Sequence, residues 1–222
     1  VLTDDVADLA MGLVLSVGRT IPQADQFVRT GQWPNGPIAL GRKVSGARLG
    51  IVGLGRIGKA IAQRAKGFGM SIAYTARSAK TDSGFQFFAT PAELAANVDF
   101  LVVITPGGAG TKHLINAEVL QALGTRGFLI NVARGSVVDE EALIAALQNG
   151  TIAGAGLDVF ANEPNVPEAL WSMRNVVLTP HMASATTETR QAMADLAFAN
   201  MQAGTSGQPL RTPVPECAAL LK

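Results

Sequence analysis

Cysteine is almost wanting in this chain: Cys217 is the single thiol among 222 residues. That excludes an internal disulfide, and with no cluster of Cys and His no metal site is expected; a reducing, cytoplasmic setting is the default. Charge is also sparse, at 16% of residues, and 18 basic against 17 acidic side chains leave a formal net charge of +1. So even a balance gives no footprint for a nucleic-acid partner or a strongly acidic one. No apolar run is long enough to span a membrane. The opening stretch "VLTDDVADLAMGLVLSVGR" begins with acids where a signal peptide would carry a basic region. Histidine occurs only twice, at His113 and His181, and aromatic residues make up 5% of the chain.

What is plentiful is apolar. Hydrophobic residues are 48% of the total, and 24 glycines suit closely packed helices and sheets. Length and composition together allow one large domain or two modest ones. Val6, Leu9, Ala10, Leu13, Val14 and Val17 recur at helical spacing behind Thr3, Asp4 and Asp5, which predicts a first helix. A second short helix is expected from Pro22 to near Gly31, followed by the turn-rich arm "GQWPNGPIALGRKVSG" over 31–46.

From Ala47 onward short apolar runs alternate with helical segments. The runs are "RLGIV" (48–52), "SIAYT" (71–75), "FLVVI" (100–104), "GFLIN" (127–131), "GAGLDV" (154–159) and "NVVLT" (175–179). Between them, Thr90-Pro91-Ala92-Glu93 forms a capping box with proline at the first helical position, and Asp139 precedes a helix that Gly150 closes. The alternation predicts an α/β fold with a doubly wound parallel sheet. A last long helix, from about Thr186 to Gln202, has no strand after it and is expected to cross to another part of the molecule.

The segment "GIVGLGRIGKAIAQRA" places Gly53, Gly55 and Gly58 in the G-x-G-x-x-G spacing, directly after an apolar strand and opening an amphipathic helix. In a dinucleotide-binding (Rossmann) unit the three glycines serve, in turn, a tight turn, the close approach of backbone to pyrophosphate, and the close packing of helix on strand. Leu54, Arg56 and Ile57 share the turn, and the helix starting near Arg56 would direct its free N–H groups at the phosphates. An acid at the end of the second strand would receive the ribose hydroxyls and repel a 2′-phosphate. Thr75 stands there instead, with Arg77 and Ser78 just beyond and Lys80 after them. A neutral residue followed by a two-pronged cation favours NADP(H), with NAD(H) as the alternative.

Three polar residues follow apolar strands: Arg134 after "LINVA", Glu163 after "GLDVFAN" and His181 after "VVLTP". Residues just past the carboxyl ends of parallel strands face the ligand crevice. If a dinucleotide's hydride reduces the carbonyl of an acid, the reaction needs a cation for the carboxylate and a proton donor for the carbonyl oxygen. Arg134 suits the first and His181 the second, while Glu163 would orient the imidazole and favour its protonated form. Thr105 and Pro106 in "ITPGGAG" are expected over the cofactor, as are Val132 and Ala133 before Arg134 and Ala183 after His181. Ser136 and Asp139 are assigned to turn and cap, and His113 to the surface or to packing.

The segments "GLGRIGKAIAQRAKGFGM", "LINVARGSVVDEEALIAAL", "GAGLDVFANEP" and "LTPHMASAT", in this order, resemble the D-2-hydroxyacid dehydrogenases, and among them the glyoxylate/hydroxypyruvate reductases. The likeness runs from about Val1 to Pro213. It implies a catalytic triad of Arg134, Glu163 and His181, a small 2-oxo or 2-hydroxy acid as substrate, and a place for Asp158 at the nicotinamide end of the cofactor. For Asp158 a strand-end cap is the competing assignment. The likeness also implies a dinucleotide-binding domain over 1–188, including an interdomain helix and dimerisation arm over about 1–45. Residues 189–222 would be a helix and tail returning to a substrate lobe, for whose first part, roughly 100 residues, the chain ahead of Gly53 has no room. A homodimer is implied too, in which Trp33 is the candidate to reach the partner's active site. Two alternatives stay open: a nucleotide-sensing corepressor-like binding protein, and a dehydrogenase of another small acid such as phosphite or formate.

Overall fold

The computed structural model describes residues 1–80 and 82–214; Cys217 and the rest of the tail lie outside the described residues. The elements, in chain order, are α1 (Thr3–Gly18), α2 (Ile21–Arg29), β1 (Arg48–Val52), α3 (Arg56–Lys66), β2 (Ser71–Thr75), β3 (Gln86–Phe88), α4 (Pro91–Ala95), β4 (Phe100–Val103), α5 (Ala117–Leu123), β5 (Phe128–Asn131), α6 (Glu140–Gln148), β6 (Gly154–Leu157), α7 (Glu168–Trp171), β7 (Val176–Leu178) and α8 (Thr187–Thr205). The seven strands form one sheet in the order β3-β2-β1-β4-β5-β6-β7, with all neighbours parallel.

Strands buried on both faces explain the near-continuous apolar runs of the sequence. One face is covered by α1 and α3, whose Leu13, Val14, Ile61 and Ala65 pack with Leu49, Ile51 and Phe100. The other is covered by α4, α5 and α6, where Leu94, Leu120 and Leu143 meet Leu101, Leu129 and Ala155. The expected caps form: the Thr90 side chain and Glu93 make the reciprocal capping box at α4, and Asp139 accepts from the Ala142 N–H at the start of α6.

Two expectations are corrected. β3 has no counterpart among the strands read from the sequence: its three residues carry too little periodicity, and it exists because the free edge of β2 offers Ala73–Thr75 as a ladder. The strand expected over 154–159 stops at Leu157, so Asp158 and Val159 turn out of the sheet into the loop region above it.

At the opposite, amino-terminal edge of the sheet, Asp99 ties the arm to the strands. Its carboxylate accepts from Arg48 N at 2.9 Å, Arg48 Nε at 3.2 Å and Arg42 Nη2 at 3.0 Å. Burial alone pushes this carboxyl up, but the Arg48 hydrogen bonds and the two guanidinium charges outweigh it and hold Asp99 below the ordinary carboxylate value. The arm beyond Arg29 holds one 3-10 turn, Trp33–Asn35, and projects Trp33 and Leu40 into solvent, 67% and 100% exposed. α8 buries only Thr189. Among the described residues no helix is long and apolar enough to cross a membrane.

Candidate active site

The sheet order reverses direction between β1 and β4, and open α/β sheets bind ligands in the crevice outside the carboxyl ends of the strands at such a point. A cleft of about 810 Å³ opens there. In the turn beside it, Gly53 takes φ +105°, and a Cβ at that position would sit 3.0 Å from the Ile104 carbonyl oxygen and the Thr105 nitrogen. The turn therefore requires glycine both for conformation and for the approach of β4. At Gly58 a Cβ would lie 2.2 Å from the Gly53 carbonyl oxygen, so this glycine seats α3 on the strand. Gly55 is different. A Cβ there would meet nothing within 4 Å, and Gly55 provides no side-chain cap for α3. The amino end of an eleven-residue helix is thus open toward bare space, a cradle that fits an anionic diphosphate.

Arg134 follows β5 at the start of a 3-10 turn, with its guanidinium exposed to the cleft. Its backbone is held from below by Asn131, which is 1% exposed: Nδ2 donates to the Arg134 carbonyl oxygen at 3.2 Å, and Oδ1 accepts from the Ala133 N–H at 3.1 Å. The Arg134 Nη1 donates to the Ala133 carbonyl oxygen at 2.6 Å. Gly135 then runs against Phe160, where a Cβ would overlap the carbonyl oxygen at 1.9 Å. This contact joins the Arg134 loop to the loop that carries Glu163.

Glu163 accepts from the Phe160 N–H at 3.0 Å through Oε1, which leaves Oε2 for His181, whose Nδ1 lies 2.6 Å away. With Nδ1 as the donor of that bond, Nε2 is the ring atom left to act in the cleft. Partial burial raises the Glu163 carboxyl. The hydrogen bond from His181, the Phe160 N–H and the charges of His181 and Arg134 together exceed that effect, so Glu163 is held below the ordinary carboxylate value. His181 itself adopts φ +51°, rare for a residue with a Cβ, and its N–H donates to the Asp158 carbonyl oxygen at 2.9 Å.

Asp158 anchors that conformation. It is fully buried, and its carboxylate accepts from Thr179 Oγ1 at 2.6 Å, Met182 N at 2.9 Å and Ala183 N at 3.0 Å. The carboxylate clasps the turn on both sides of His181.

Residues 11–183 match the D-isomer specific 2-hydroxyacid dehydrogenase, NAD binding domain. The chain belongs to this family. A hydroxyphenylpyruvate reductase of Plectranthus scutellarioides is 53% identical over 214 residues, covering 96% of this chain and 68% of the relative. A glyoxylate/hydroxypyruvate reductase of Arabidopsis thaliana is 50% identical over the same shares of each chain. Among solved structures, the NADPH-dependent glyoxylate/hydroxypyruvate reductase of Sinorhizobium meliloti in complex with NADP and malonate superposes with a TM-score of 0.93 at 54% identity, covering 97% of this chain and 68% of that one.

Within this member of the family, the cleft gathers ten of the residues expected from the sequence: Ile57, Thr105, Pro106, Val132, Ala133, Arg134, Asp158, Glu163, His181 and Ala183. Gly53, Leu54, Gly55, Arg56 and Gly58 form the adjoining turn, and Thr75, Arg77 and Ser78 lie beyond it at the end of β2. Several have no side chain to offer. Leu54, Val132 and Ala133 are buried at 3–5% exposure, so only their backbones face a ligand. Thr75 is 4% exposed and its carbonyl oxygen accepts from the Gly53 N–H, which makes it a floor to the crevice, whereas Arg77 and Ser78 are exposed. For Asp158 the structure favours the cap, since its carboxylate is spent on the His181 loop. Ser136, assigned to a turn, also lines the cleft, as do Gly107 and Gly108. Asn131 and Gly135 were not identified from the sequence: an amide at a strand end and one glycine in a turn carry no distinctive signal.

Proposed function

We propose that this chain works as an NADP(H)-dependent oxidoreductase that interconverts small 2-oxo and 2-hydroxy acids, with glyoxylate or hydroxypyruvate as substrate. The observation that carries the proposal is the close pairing of Glu163 with His181 in one cleft with the exposed Arg134 fork. The relatives named above, reductases of such acids, support it.

The dinucleotide's diphosphate would lie over Gly55 and the amino end of α3, and its 2′-phosphate against Arg77 and Ser78. When bound, its nicotinamide supplies the hydride. The chain's own residues do the rest. Arg134 holds the substrate carboxylate with its planar pair of donors and draws the carbonyl toward the reacting position. His181 Nε2 gives a proton to the carbonyl oxygen in reduction and takes it back in oxidation. Glu163 fixes the ring and balances the charge of the imidazolium, while Asp158 keeps the backbone of His181 in its unusual turn.

The same reading divides the chain into a dinucleotide-binding domain over 1–188 and a helix and tail over 189–222. It pairs two copies through the arm, whose exposed Trp33, Ile38 and Leu40 would then be covered. It also places the protein in the cytoplasm. The deciding experiment follows NADPH and NADH oxidation with a panel of 2-oxo acids, comparing wild type with His181→Ala. Loss of a general acid lowers kcat by about 10²- to 10⁴-fold; a variant that keeps most of its rate would refute the role of His181.

A further inference from the structure

The one tyrosine of the chain lies beneath the loop that carries Arg77 and Ser78. Tyr74 is the penultimate residue of β2 and is 1% exposed, with its ring tilted against Phe87 at a centroid distance of 5.4 Å. Its hydroxyl closes on a single residue of the loop. The Lys80 N–H donates to it at 2.5 Å, and the hydroxyl donates to the Lys80 carbonyl oxygen at 3.3 Å. Among the described residues, Tyr74 is the only side chain that hydrogen-bonds the stretch 76–80, while Arg77 and Ser78 reach into solvent.

We infer that Tyr74 is a positioning residue for cofactor choice: its hydroxyl latches residues 76–80 into the bend that presents Arg77 and Ser78 to a 2′-phosphate. The inference rests on the proposed pairing of that phosphate with Arg77. A tyrosine ring anchored in the core gives the hydroxyl a fixed position, so both ends of the bend, Thr75 in the sheet and Lys80 at the latch, are set before any ligand arrives. Without the latch the loop must be ordered at the moment of binding, which lowers affinity for the ligand that uses it. Only the phosphate-bearing dinucleotide uses it, so the effect is selective.

The test is direct titration of Tyr74→Phe with NADPH and with NADH. The substitution keeps the ring and removes only the hydroxyl. The Kd for NADPH rises about five- to tenfold, as for a lost hydrogen bond, while the Kd for NADH changes less than about twofold and kcat at saturating NADPH is retained. A merely structural role would weaken both dinucleotides alike, and that result, or no change in either, overturns the latch. Lys80→Pro breaks the contact from the other side by removing the amide donor, without touching the sheet. Against Lys80→Ala, which keeps the amide, it lowers NADPH affinity and spares NADH; equal behaviour of the two Lys80 variants counts against the latch. Arg77→Ala reports separately on the phosphate pairing. If it weakens NADPH selectively and Tyr74→Phe does not, only the latch is lost; if Arg77→Ala affects both dinucleotides equally, the pairing itself fails.

Discussion

Glu163 Oε2 and His181 Nδ1 lie 2.6 Å apart although they stand on separate loops, one following β6 and the other β7. The pair fixes which ring nitrogen faces the cleft. Glu163→Gln keeps the size of the side chain and removes its charge. Exchanging a charge-assisted bond for a neutral one costs about 1–1.5 kcal/mol, so kcat falls by roughly five- to tenfold. The KM for the oxo acid stays within about twofold if Arg134 and not Glu163 holds the substrate, as proposed. Steady-state kinetics on the purified variant check the split.

The depressed Glu163 carboxyl also makes a statement about stability and pH. Its folded value lies below the unfolded one, so its contribution to stability is fully present above the ordinary carboxylate value and is lost as pH falls through the lower folded value. Carbon-detected NMR of the Glu163 side chain gives a midpoint below the ordinary value of 4.5. In His181→Ala that midpoint moves up, since the hydrogen bond and the positive partner are both removed while burial remains.

Arg134→Lys keeps the charge and loses the planar pair of donors. The KM for the oxo acid rises by about ten- to a hundredfold, the equivalent of one charge-assisted hydrogen bond. NADPH affinity measured without the acid stays unchanged if the guanidinium serves the substrate carboxylate, as proposed. A loss confined to the dinucleotide would reassign Arg134.

Asp158→Asn sets an NH₂ group against the N–H of either Ala183 or Met182, both of which now donate to the carboxylate. Leaving one buried donor unpaired costs about 1–3 kcal/mol of stability. The His181 turn loosens as well, so kcat falls while the thermal midpoint drops. Calorimetry and kinetics on the same preparation separate the two effects from a loss confined to cofactor binding.

Much of this arrangement is legible in the residues. Six of the seven strands announce themselves as apolar runs, because parallel strands covered on both faces are built mostly of apolar residues. Arg134, Glu163 and His181 stand out because each is a polar residue placed just past such a run. What escapes is of two kinds. β3 is too short to show a period and owes its existence to an open edge beside it. Asn131 and Tyr74 hold the backbone of the loops that follow their own strands, and Gly135 admits the Phe160 backbone; no local pattern marks an amide, a phenol or a glycine for such a role. Asp158 shows the ambiguity well: a strand-end acid near a cofactor fold serves equally to touch a ligand or to brace a turn, and only the three donors around it decide.

The order of the strands has one more consequence. β2, which ends at the Arg77 loop, and β5, which ends at Arg134, are separated by β1 and β4. At the usual spacing of parallel strands that is about 14 Å, beyond the range over which substitutions interfere with one another. If the 2′-phosphate pairs with Arg77 and the acid with Arg134 as proposed, dinucleotide preference and acid preference are separable traits. A laboratory selection would then exchange one coenzyme for the other by rewriting residues 75–80, with the proposed proton-transfer residues carried along untouched.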